Sequence, residues 1–372
     1  MKFSYWENKT WLSNIDFVII GSGIVGLNCA LELRSKHPKS KIIILEKGML
    51  PYGASTRNAG FACFGSATEI VSDLQSHSAQ EVFELIKKRV FGLNKLRELL
   101  GDEAIKYKQL GGNEIFLKKD SEVFNKTIYK VKEINKLIKP LFDDEVFHVK
   151  KNEFKFKNTL NKLIFNKYEG QIDVGEMMDS LLKKVSSSGI KIINNVFVEN
   201  YEDTNSSVKL KTNQFTISCS KLFIATNGFS DSIINENVIP ARAQVLITKP
   251  IKNLSIAGTF HLDQGYYYFR NIDDRILFGG GRNLDFKTEE TSEFGQTAII
   301  QNELENILKT IILPNTSFEI EHRWSGIMGV GDQKKAIVKQ LSNHVFCGVR
   351  LGGMGVAIGS LVGKELAALI NE

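Results

Sequence analysis

The chain has 372 residues, of which 42% are hydrophobic and 24% charged, and its formal net charge is +6. This length predicts two domains, and this composition is typical of a globular protein with a large core. The basic residues never condense into a run, which argues against a nucleic-acid partner, and no stretch approaches the roughly 18 apolar residues of a membrane span.

The cysteines argue against metal binding and against a disulfide framework. Cys29, Cys63, Cys219 and Cys347 lie far apart, and none belongs to a Cys-x-x-Cys pair. Isolated cysteines are typical of proteins in a reducing compartment. The first 14 residues lack the apolar run behind a basic end that marks a secretory signal. We therefore expect a cytoplasmic protein without a metal site.

The first predicted elements form a βαβ unit. Residues 15–20, IDFVII, are nearly all apolar and predict a buried strand. GSGIVG follows, and the apolar residues of 27–33 then recur at helical spacing. Residues 41–48, KIIILEKG, predict a second buried strand. This order of strand, glycine turn, helix and strand predicts a parallel sheet.

The glycine turn has the spacing of a dinucleotide-binding motif. Gly21 would permit a tight turn, Gly23 would let the backbone approach a pyrophosphate, and Gly26 would let the helix pack closely on the strand. The free N–H groups and the positive dipole end of the helix would face the diphosphate. Glu46, where the second strand ends, would accept hydrogen bonds from ribose hydroxyls and repel a 2′-phosphate. The ligand is therefore FAD or NAD.

Two later segments favour FAD over NAD. Residues 53–61, GASTRNAGF, form a small-residue, irregular stretch where an NAD dehydrogenase would continue with helices and strands. Such a stretch suits a second pass along an extended cofactor. Gly352, Gly353 and Gly355 supply another helix N-terminus, which would stabilise negative charge on the pyrimidine edge of a reduced flavin. The alternative is an NAD-binding or non-catalytic Rossmann protein.

The middle of the chain changes character before the α/β pattern returns. Residues 80–162 have helical periodicity and predict a helical insertion outside the nucleotide fold. The elements predicted after it are, in chain order, an amphipathic helix over 174–187, strands over 190–198 and 221–228, antiparallel strands within 244–281 with a hairpin turn at 271–274, and a helix over 360–370.

The motifs together resemble the D-amino-acid oxidase, glycine oxidase and sarcosine oxidase superfamily. They are, in order, GSGIVG, LEKG, GASTRNAG, IKIINNVFV, ATNGFS, PARAQVLIT, YYYFRNIDDRILFGG, RWSGIMG and GGMGVAIGSLVGKELA. The likeness is weakest between about residues 80 and 165. Within the superfamily, STRNAG, FGGGRN and WSGIMG are most similar to gamma-glutamylputrescine oxidase-like proteins.

The resemblance implies an α/β fold, with a Rossmann-type FAD-binding domain and a substrate domain built from a mixed β-sheet plus helices. We expect the FAD-binding domain to comprise residues 1–75, 171–245 and 325–372, and the substrate domain residues 76–170 and 246–324. The implied reaction oxidises a carbon–nitrogen bond of a small amine or amino acid. Hydride passes from the substrate carbon to flavin N5, and water hydrolyses the imine.

The motif and the resemblance together predict the residues that bind the cofactor. They are Gly21, Gly23, Ile24, Gly26, Glu46, Lys47, Ser55, Thr56, Arg57, Asn58, Ala59, Gly60, Val198, Gly228, Gly353, Met354, Gly355 and Val356. By matching position, Val198 falls at the adenine end, residues 55–58 fall along the pyrophosphate and flavin, and residues 353–356 fall at the pyrimidine edge.

Four residues are candidates for the catalytic side of the site. Tyr266 and Tyr268 share a strand face near the place where relatives present a substrate-contacting tyrosine. Arg282 follows three glycines, and it would either reach the active site or cap the hairpin. Arg350 is a candidate carboxylate anchor.

Three departures from the family pattern bear on substrate, acceptor and cofactor attachment. Met328 stands where amino-acid oxidases carry a carboxylate-binding arginine, which favours an amine substrate. The strand RILFGGG lacks the lysine that sarcosine oxidases use with oxygen, so the electron acceptor stays open. Arg57 or Asn58 stands where some relatives tether FAD through histidine, which predicts non-covalent FAD.

Besides the NAD-binding or non-catalytic Rossmann protein, two alternatives remain, one for the reaction and one for the attachment of the flavin. One is an FAD-dependent 2-hydroxy-acid dehydrogenase of the same fold, which would need a base such as His261 or His322. The other is a covalent thioether between the flavin and Cys63. The oligomeric state also stays open.

Overall fold

The computed structural model describes residues 2–231 and 233–371. Its α-helices are, in chain order, α1 (Tyr5–Glu7), α2 (Ile24–Lys36), α3 (Ala67–Ser76), α4 (Ala79–Leu100), α5 (Ser121–Ile138), α6 (Val174–Ser187), α7 (Ala298–Ile307) and α8 (Gly355–Ala368). Its strands are β1 (Ile15–Ile20), β2 (Ile42–Leu45), β3 (Phe61–Ala62), β4 (Gly112–Glu114), β5 (Phe147–Lys151), β6 (Lys162–Asn166), β7 (Gly170–Gln171), β8 (Lys191–Ile193), β9 (Val198–Asp203), β10 (Val208–Thr212), β11 (Thr216–Ile224), β12 (Ile239–Thr248), β13 (Thr259–Leu262), β14 (Tyr267–Ile272), β15 (Arg275–Gly280), β16 (Ile320–Val330), β17 (Ile337–Ser342) and β18 (Val345–Val349).

The first sheet contains the predicted βαβ unit. Its strand order is β17-β18-β11-β1-β2-β8, and β10 and β9 extend from β11 as an antiparallel pair. β1 lies parallel to β2 on one side and to β11 on the other, with Ile19 opposite Ile44 and Phe223. All three side chains are fully buried. The apolar runs of the sequence are therefore central strands, covered on both faces.

Alternation along β1 divides the core of this sheet into two layers. Phe17 and Ile19 pack into a cluster with residues of α2, α6 and α8. Val18 and Ile20 point the other way, into a cluster with residues of β9, β10 and β11. Because neighbouring side chains of a strand face opposite sides, one short apolar run supplies both layers.

The second sheet is mixed and has the order β16-β12-β15-β14-β13-β4-β6-β5. Phe260, Phe269 and Phe278 lie side by side on one face and pack with residues of α7. The predicted hairpin turn is present between β14 and β15, where Asp273 and Asp274 adopt φ of 47° and 57°. Two consecutive positive φ values are what a two-residue hairpin loop with matching twist requires.

Two sequence expectations are wrong in detail. Residues 80–162 contain helices α4 and α5 as predicted, but they also contain β4 and β5, which extend the second sheet together with β6, the strand that begins at Lys162. β4 reads only GNE, and its strand conformation depends on pairing with β13 and β6 rather than on propensity. The strand predicted over 190–198 is two strands, because Asn195 turns the chain with φ of 60°.

The predicted division into domains stays a prediction. Strands of the first sheet come from the segments assigned to the FAD-binding domain. β12 and β16 cross the expected bounds at 245/246 and 324/325, and both belong to the second sheet. Among the described residues, no helix has the length and apolar character needed to cross a membrane.

Candidate active site

A cavity of about 770 Å³ is lined by residues of both sheets. On one side lie Gly21 and Glu46, where β1 and β2 end. On the other side lie Tyr268 of β14 and His261 of β13. Ligands of open parallel sheets bind at the carboxyl ends of the strands, so the cavity has the position expected of a nucleotide site.

The first glycine turn presents bare backbone to this cavity. Gly21 has a φ of +101°, and α2 begins at Ile24 with no side-chain cap. The backbone N–H of Ile24 donates to Oγ of Ser55 at 3.0 Å. A Cβ on Gly23 would lie 2.8 Å from that oxygen, and one on Gly26 would collide with the carbonyl oxygen of Gly21. Gly21 is therefore required by its backbone conformation and Gly26 by its close approach to the backbone, whereas a Cβ on Gly23 would meet only the Ser55 side chain.

Glu46 is 5% exposed, and its carboxylate binds the backbone around it. Its Oε2 accepts from the N–H and Oγ of Ser22 at 3.0 and 2.7 Å. Its Oε1 accepts from the N–H groups of Gly48 and Tyr52 at 2.9 and 3.3 Å. A carboxylate offers about four acceptor positions, and these four bonds occupy about that number. The ribose contact stays a prediction.

The irregular segment 53–60 is held by hydrogen bonds within the segment and by one from Arg270 of β14. Within it, Nδ2 of Asn58 donates to the carbonyl of Ser55 at 2.9 Å, and Oδ1 accepts from the N–H of Gly60 at 2.9 Å. Arg270, which is 2% exposed, donates to the carbonyls of Ala59 and Ile172. Burial lowers the pKa of Arg270 to about 10. Sequence reasoning missed this arginine, which ties the segment to the second sheet.

Arg57 lies in the cavity wall between aromatic rings. Its guanidinium carbon is 4.2 Å from the centroid of the Phe294 ring and 5.4 Å from that of Tyr52. The guanidinium of Arg57 donates to the carbonyl of Ser325 at 3.2 Å. The indole N–H of Trp324 donates to the backbone carbonyl of Arg57 at 3.0 Å. Arg57 therefore joins segment 53–60 to β16.

The C-terminal glycine turn forms another part of the wall. Gly352 and Gly353 have φ of +58° and +82°, and α8 begins at Gly355. The sulfur of Met328 would lie 3.3 Å from a Cβ on Gly353. Met328 therefore lies beside the glycine turn.

Tyr268 and His261 face each other across β13 and β14 and both line the cavity. The ring of Phe61 packs edge-on against both, with centroids 5.3 Å from His261 and 5.6 Å from Tyr268. Burial raises the pKa of Tyr268 to about 12, so its phenol stays protonated and neutral. Tyr266 also lines the cavity but is 42% exposed, at the rim.

Behind His261 lies a buried acidic cluster that the sequence did not reveal. Nε2 of His261 lies 2.6 Å from Oε1 of Glu169, and Glu114 is its register partner on β4. Burial alone would lower the pKa of His261, but the charge and hydrogen bond of Glu169 and the charge of Glu114 raise it overall. Burial raises the pKa of Glu114 itself, whose carboxylate accepts from Oγ of Ser66 at 2.9 Å. The three residues come from segments far apart in the chain, so no local pattern signals the cluster.

Most of the predicted site residues line the cavity, and a minority do not. Those outside its lining are Gly26, Thr56, Gly228, Arg350 and His322. Oγ1 of Thr56 donates to the carbonyl of Pro51 at 2.9 Å and so holds its own turn. Arg350 donates to the carbonyls of Lys335 and Asn237, both at 3.1 Å, and is therefore committed away from the cavity.

Cys63 lines the cavity, and its thiol has a perturbed environment. Burial and the nearby charges of Glu169 and Glu69 raise its pKa well above the usual value. The thiolate, which is the nucleophilic form, is therefore disfavoured. Within residues 2–231 and 233–371, no group of three or more His, Cys, Asp or Glu side chains is arranged to hold a metal ion.

Comparison with known proteins identifies relatives over nearly the full length. The family model described as DAO, FAD dependent oxidoreductase, matches residues 16–369. The chain is 21% identical to probable oxidoreductase OrdL of Haemophilus influenzae, over 97% of this chain and 84% of that protein. It is 24% identical to the mitochondrial L-2-hydroxyglutarate dehydrogenase of Bos taurus, over 84% of this chain and 71% of that protein.

Solved structures share the fold. L-proline dehydrogenase from P. horikoshii aligns with a TM-score of 0.75 at 18% identity, covering 96% of this chain and 93% of that one. Glycine oxidase from Geobacillus kaustophilus aligns with a TM-score of 0.75 at 16% identity, covering 96% and 94%. The particular likeness to gamma-glutamylputrescine oxidase-like proteins stays a prediction.

Proposed function

Since the chain belongs to the DAO family of FAD-dependent oxidoreductases, we propose that it oxidises a carbon–nitrogen bond of a small amine or amino acid, with FAD bound non-covalently. The observation that carries the proposal is one continuous cavity. It joins the dinucleotide turn at Gly21, the second glycine turn at Gly353, and the face of the second sheet that carries His261 and Tyr268.

The residues around this cavity fit the cofactor. The bare backbone at Gly21 and Gly23 and the N-terminus of α2 suit a diphosphate, with Ser55 beside them. We expect Glu46 to meet the ribose, and Val198 to lie against the adenine end. Residues 353–356 would meet the pyrimidine edge of the flavin at the N-terminus of α8.

Bound FAD would supply the acceptor for a hydride from the substrate carbon, and water would hydrolyse the resulting imine. The chain's own residues then need to bind the substrate, orient its C–H bond and exclude water. Tyr268, Phe61 and Met328 line the cavity, and of these three side chains only the phenol of Tyr268 is polar. Proximity and orientation therefore account for most of the expected rate.

The acids beside His261 support amine oxidation over alcohol oxidation. A 2-hydroxy-acid dehydrogenase needs a neutral base to take the hydroxyl proton, whereas a neutral amine needs none. Glu169 and Glu114 raise the pKa of His261 above its usual value although burial alone would lower it, so the neutral imidazole is less favoured here than in a free histidine. His322, the other candidate base, does not line the cavity. Because the chain is similar to a protein named L-2-hydroxyglutarate dehydrogenase, the substrates to be tested include 2-hydroxy acids.

Non-covalent attachment is supported by the side chains near the expected flavin. Arg57 or Asn58 stands where some relatives tether FAD through histidine, and Asn58 donates hydrogen bonds to carbonyls of its own turn. The raised pKa of Cys63 disfavours the thiolate that a thioether bond would require. Acid precipitation of the holoprotein should therefore release all of its flavin into the supernatant. Flavin that stays with the precipitate would contradict this.

The test of function is anaerobic reduction of the purified holoprotein. A panel of amines, amino acids and 2-hydroxy acids would be mixed with it, and loss of flavin absorbance would be recorded. We expect bleaching by an amine or amino acid and none by the hydroxy acids. Bleaching by hydroxy acids alone would indicate that the protein is a 2-hydroxy-acid dehydrogenase. A colourless protein that binds NAD would refute the proposed function.

A further inference from the structure

Two buried carboxylates lie beside the cavity wall without a lysine or arginine to neutralise them. Glu169 is 1% exposed and Glu114 is 4% exposed, and neither forms an ion pair with a lysine or arginine among the described residues. The ionic partner of Glu169 in the described structure is His261, with Nε2 2.6 Å from Oε1. Buried charges are costly unless they are paired, so this arrangement favours a positive charge on the imidazole.

The fold fixes Glu169 against the histidine. A Cβ on Gly112 of β4 would collide with Oε2 of Glu169, so the glycine leaves the room that the carboxylate occupies. Oε1 also accepts from Oγ1 of Thr259 at 2.7 Å. Thr259 and His261 lie two residues apart on β13, so their side chains share one face of the strand and meet the same oxygen. The strand that carries the histidine therefore also holds the carboxylate.

His261 separates these carboxylates from the cavity. Its ring lines the cavity, whereas Glu169 and Glu114 do not. With Nε2 donating to Glu169, Nδ1 is the remaining ring nitrogen, and it forms no hydrogen bond with a described residue. Tyr268 and Cys63 line the same cavity, and burial raises the pKa of both, so the phenol and the thiol are neutral. The charge of this part of the wall therefore depends on His261.

Charges from three elements act on the protonation of His261. Burial acts to lower its pKa, but the charge and hydrogen bond of Glu169, between β6 and β7, and the charges of Glu114 and Glu69 raise it overall. Glu69 of α3 has ion pairs of its own. Glu169 and Glu114 are therefore the acids whose charge His261 must balance.

Oxidation of a carbon–nitrogen bond requires a neutral amine. The hydride leaves the α-carbon as the lone pair of the nitrogen forms the C=N bond, and an ammonium ion has no lone pair to give. A simple alkylamine has a pKa of about 10 and is an ammonium ion at neutral pH. Nearby carboxylates would raise this pKa further, whereas a nearby cation would lower it. The charge of the wall therefore decides how much of the bound amine can react.

We propose that His261 is protonated in the working enzyme and shields the bound amine from Glu169 and Glu114, so that the amine binds in its neutral form. This inference rests on the proposed function and adds the group that sets the protonation state of the substrate. The ammonium ion gives its proton to the solvent as it binds. Its lone pair then forms the C=N bond while the hydride passes to bound FAD, and His261 keeps its own proton throughout.

The charge of His261 can be measured without turnover. Histidine-selective nitrogen-15 labelling of the holoprotein would follow both ring nitrogens by NMR through a pH titration, with the His261 signals assigned by their loss in His261→Asn. We expect both nitrogens to be protonated at neutral pH, and Glu169→Gln to lower the pKa of His261 by about one unit or more. A neutral His261 at neutral pH, or a titration that Glu169→Gln leaves unchanged, would overturn the proposal.

The pH dependence of flavin reduction measures the effect on the amine. n-Butylamine, glycine and L-proline would each be mixed anaerobically with the holoprotein, and the compound that bleaches the flavin fastest would be used at saturation. The wild-type rate should rise with pH as the bound amine loses its proton, and then level off. In His261→Asn the carboxylates are unshielded, so we expect this rise to move to higher pH by about one unit or more. The rate at neutral pH should then fall by about tenfold or more, and at high pH it should approach that of the wild type.

Two further variants separate this effect from damage to the fold. Adding Glu169→Gln to His261→Asn removes the unshielded charge, so it should move the rise back toward lower pH. His322→Asn, at an exposed position of β16 outside the cavity lining, should follow the wild type at every pH. A loss by the same factor at every pH in His261→Asn would assign the histidine a structural role and overturn the proposal. If His261→Asn does not retain FAD, His261→Gln is judged by the same criteria.

The two experiments distinguish this inference from the proposed function. No bleaching by any of the three compounds or by the other amines and amino acids tested, with His261 protonated as expected, would refute the function and leave the charge of the histidine standing. Bleaching with the same pH profile in the wild type and in His261→Asn would refute the shielding alone.

Discussion

Glu46 stabilises the nucleotide end of the cavity before any ligand binds. Its carboxylate connects the first glycine turn, through Ser22, to the chain that leaves β2, through Gly48 and Tyr52. We expect the same group to accept a hydrogen bond from a ribose of the cofactor. One acid therefore stabilises the fold and is also the proposed contact with the cofactor. A mutational test must distinguish these two roles.

Replacement of Glu46 by Ala should weaken FAD binding by about tenfold to a hundredfold, since a charged acceptor contributes about 1.5–3 kcal/mol. Fluorescence titration of the apoprotein with FAD would measure this. Ser22→Ala is the matched control, because it removes one internal bond to the carboxylate and leaves the acceptor in place. Similar losses in both variants would assign the effect to the fold, and unchanged affinity in Glu46→Ala would exclude the ribose contact.

The hydrogen-bond and stacking partners of individual arginines determine whether the side chain has a structural role. Arg270 and Arg350 satisfy backbone carbonyls and hold segments together. Arg57 stacks between rings and joins two elements. Among the described residues, the buried Nε of Arg282 has no hydrogen-bond partner. In the sequence, Arg350 was the candidate carboxylate anchor, and Arg282 was expected either to reach the active site or to cap the hairpin.

At the scale of elements, the βαβ unit depends on the contact between α2 and the turn that precedes it. Gly26 lies in the first turn of α2 and faces the carbonyl of Gly21 and the side chain of Ile19. The helix can approach the strand only where no Cβ intervenes. The direction of the helix N-terminus, and hence the expected diphosphate site, follows from this contact.

Gly26→Ala should destabilise the protein by about 1–3 kcal/mol or more, because the new methyl group collides with the backbone of the turn. It should also lower the affinity for FAD. Thermal unfolding and FAD titration would measure the two effects. The control is Gly175→Ala in the first turn of α6, where the methyl group meets only a side-chain oxygen of Asp173, at 3.3 Å. We expect it to change stability by less than about 1 kcal/mol, and equal effects at both glycines would refute the collision.

At the scale of the whole molecule, an ionic cluster joins segments far apart in the chain. Glu69 of α3 pairs with Arg89 of α4 and with Lys334, and Lys334 also pairs with Asp73. Lys334 belongs to the turn between β16 and β17, which lines the cavity. The cluster therefore fixes one side of the cavity mouth against the helices.

This cluster predicts a defined loss of stability in acid. Burial would raise the pKa of Glu69, but Arg89 and Lys334 lower it from 4.5 to about 2. A carboxylate whose pKa is lower in the folded state stabilises the fold above its unfolded pKa, and this contribution is lost as pH falls through the folded pKa. The advantage of the wild type over Glu69→Gln should therefore be full at neutral pH and shrink as pH falls from about 5 toward 2.

Thermal unfolding midpoints measured across that pH range would test this. We expect Glu69→Gln to cost about 1–3 kcal/mol at neutral pH, because it leaves Arg89 buried without its charged partner. Glu98→Gln, at an exposed position of α4 with no ion pair among the described residues, serves as the control and should follow the wild type at every pH. A difference between Glu69→Gln and the wild type that stays constant with pH would count against the assigned pKa.

The local patterns of the sequence determined the nucleotide half of the protein. The strand–glycine turn–helix–strand unit, the hairpin turn at 271–274 and helix α6 could all be predicted, because each depends on a few consecutive residues and their backbone preferences. The family, too, could be recognised from the order of its motifs. Only the tertiary structure placed β4 in the second sheet, brought Glu169 and Glu114 behind His261, and separated Arg282 in the cavity from Arg350 outside it. Those contacts join segments far apart in the chain, and they depend on packing, burial and available partners, which no local spacing encodes.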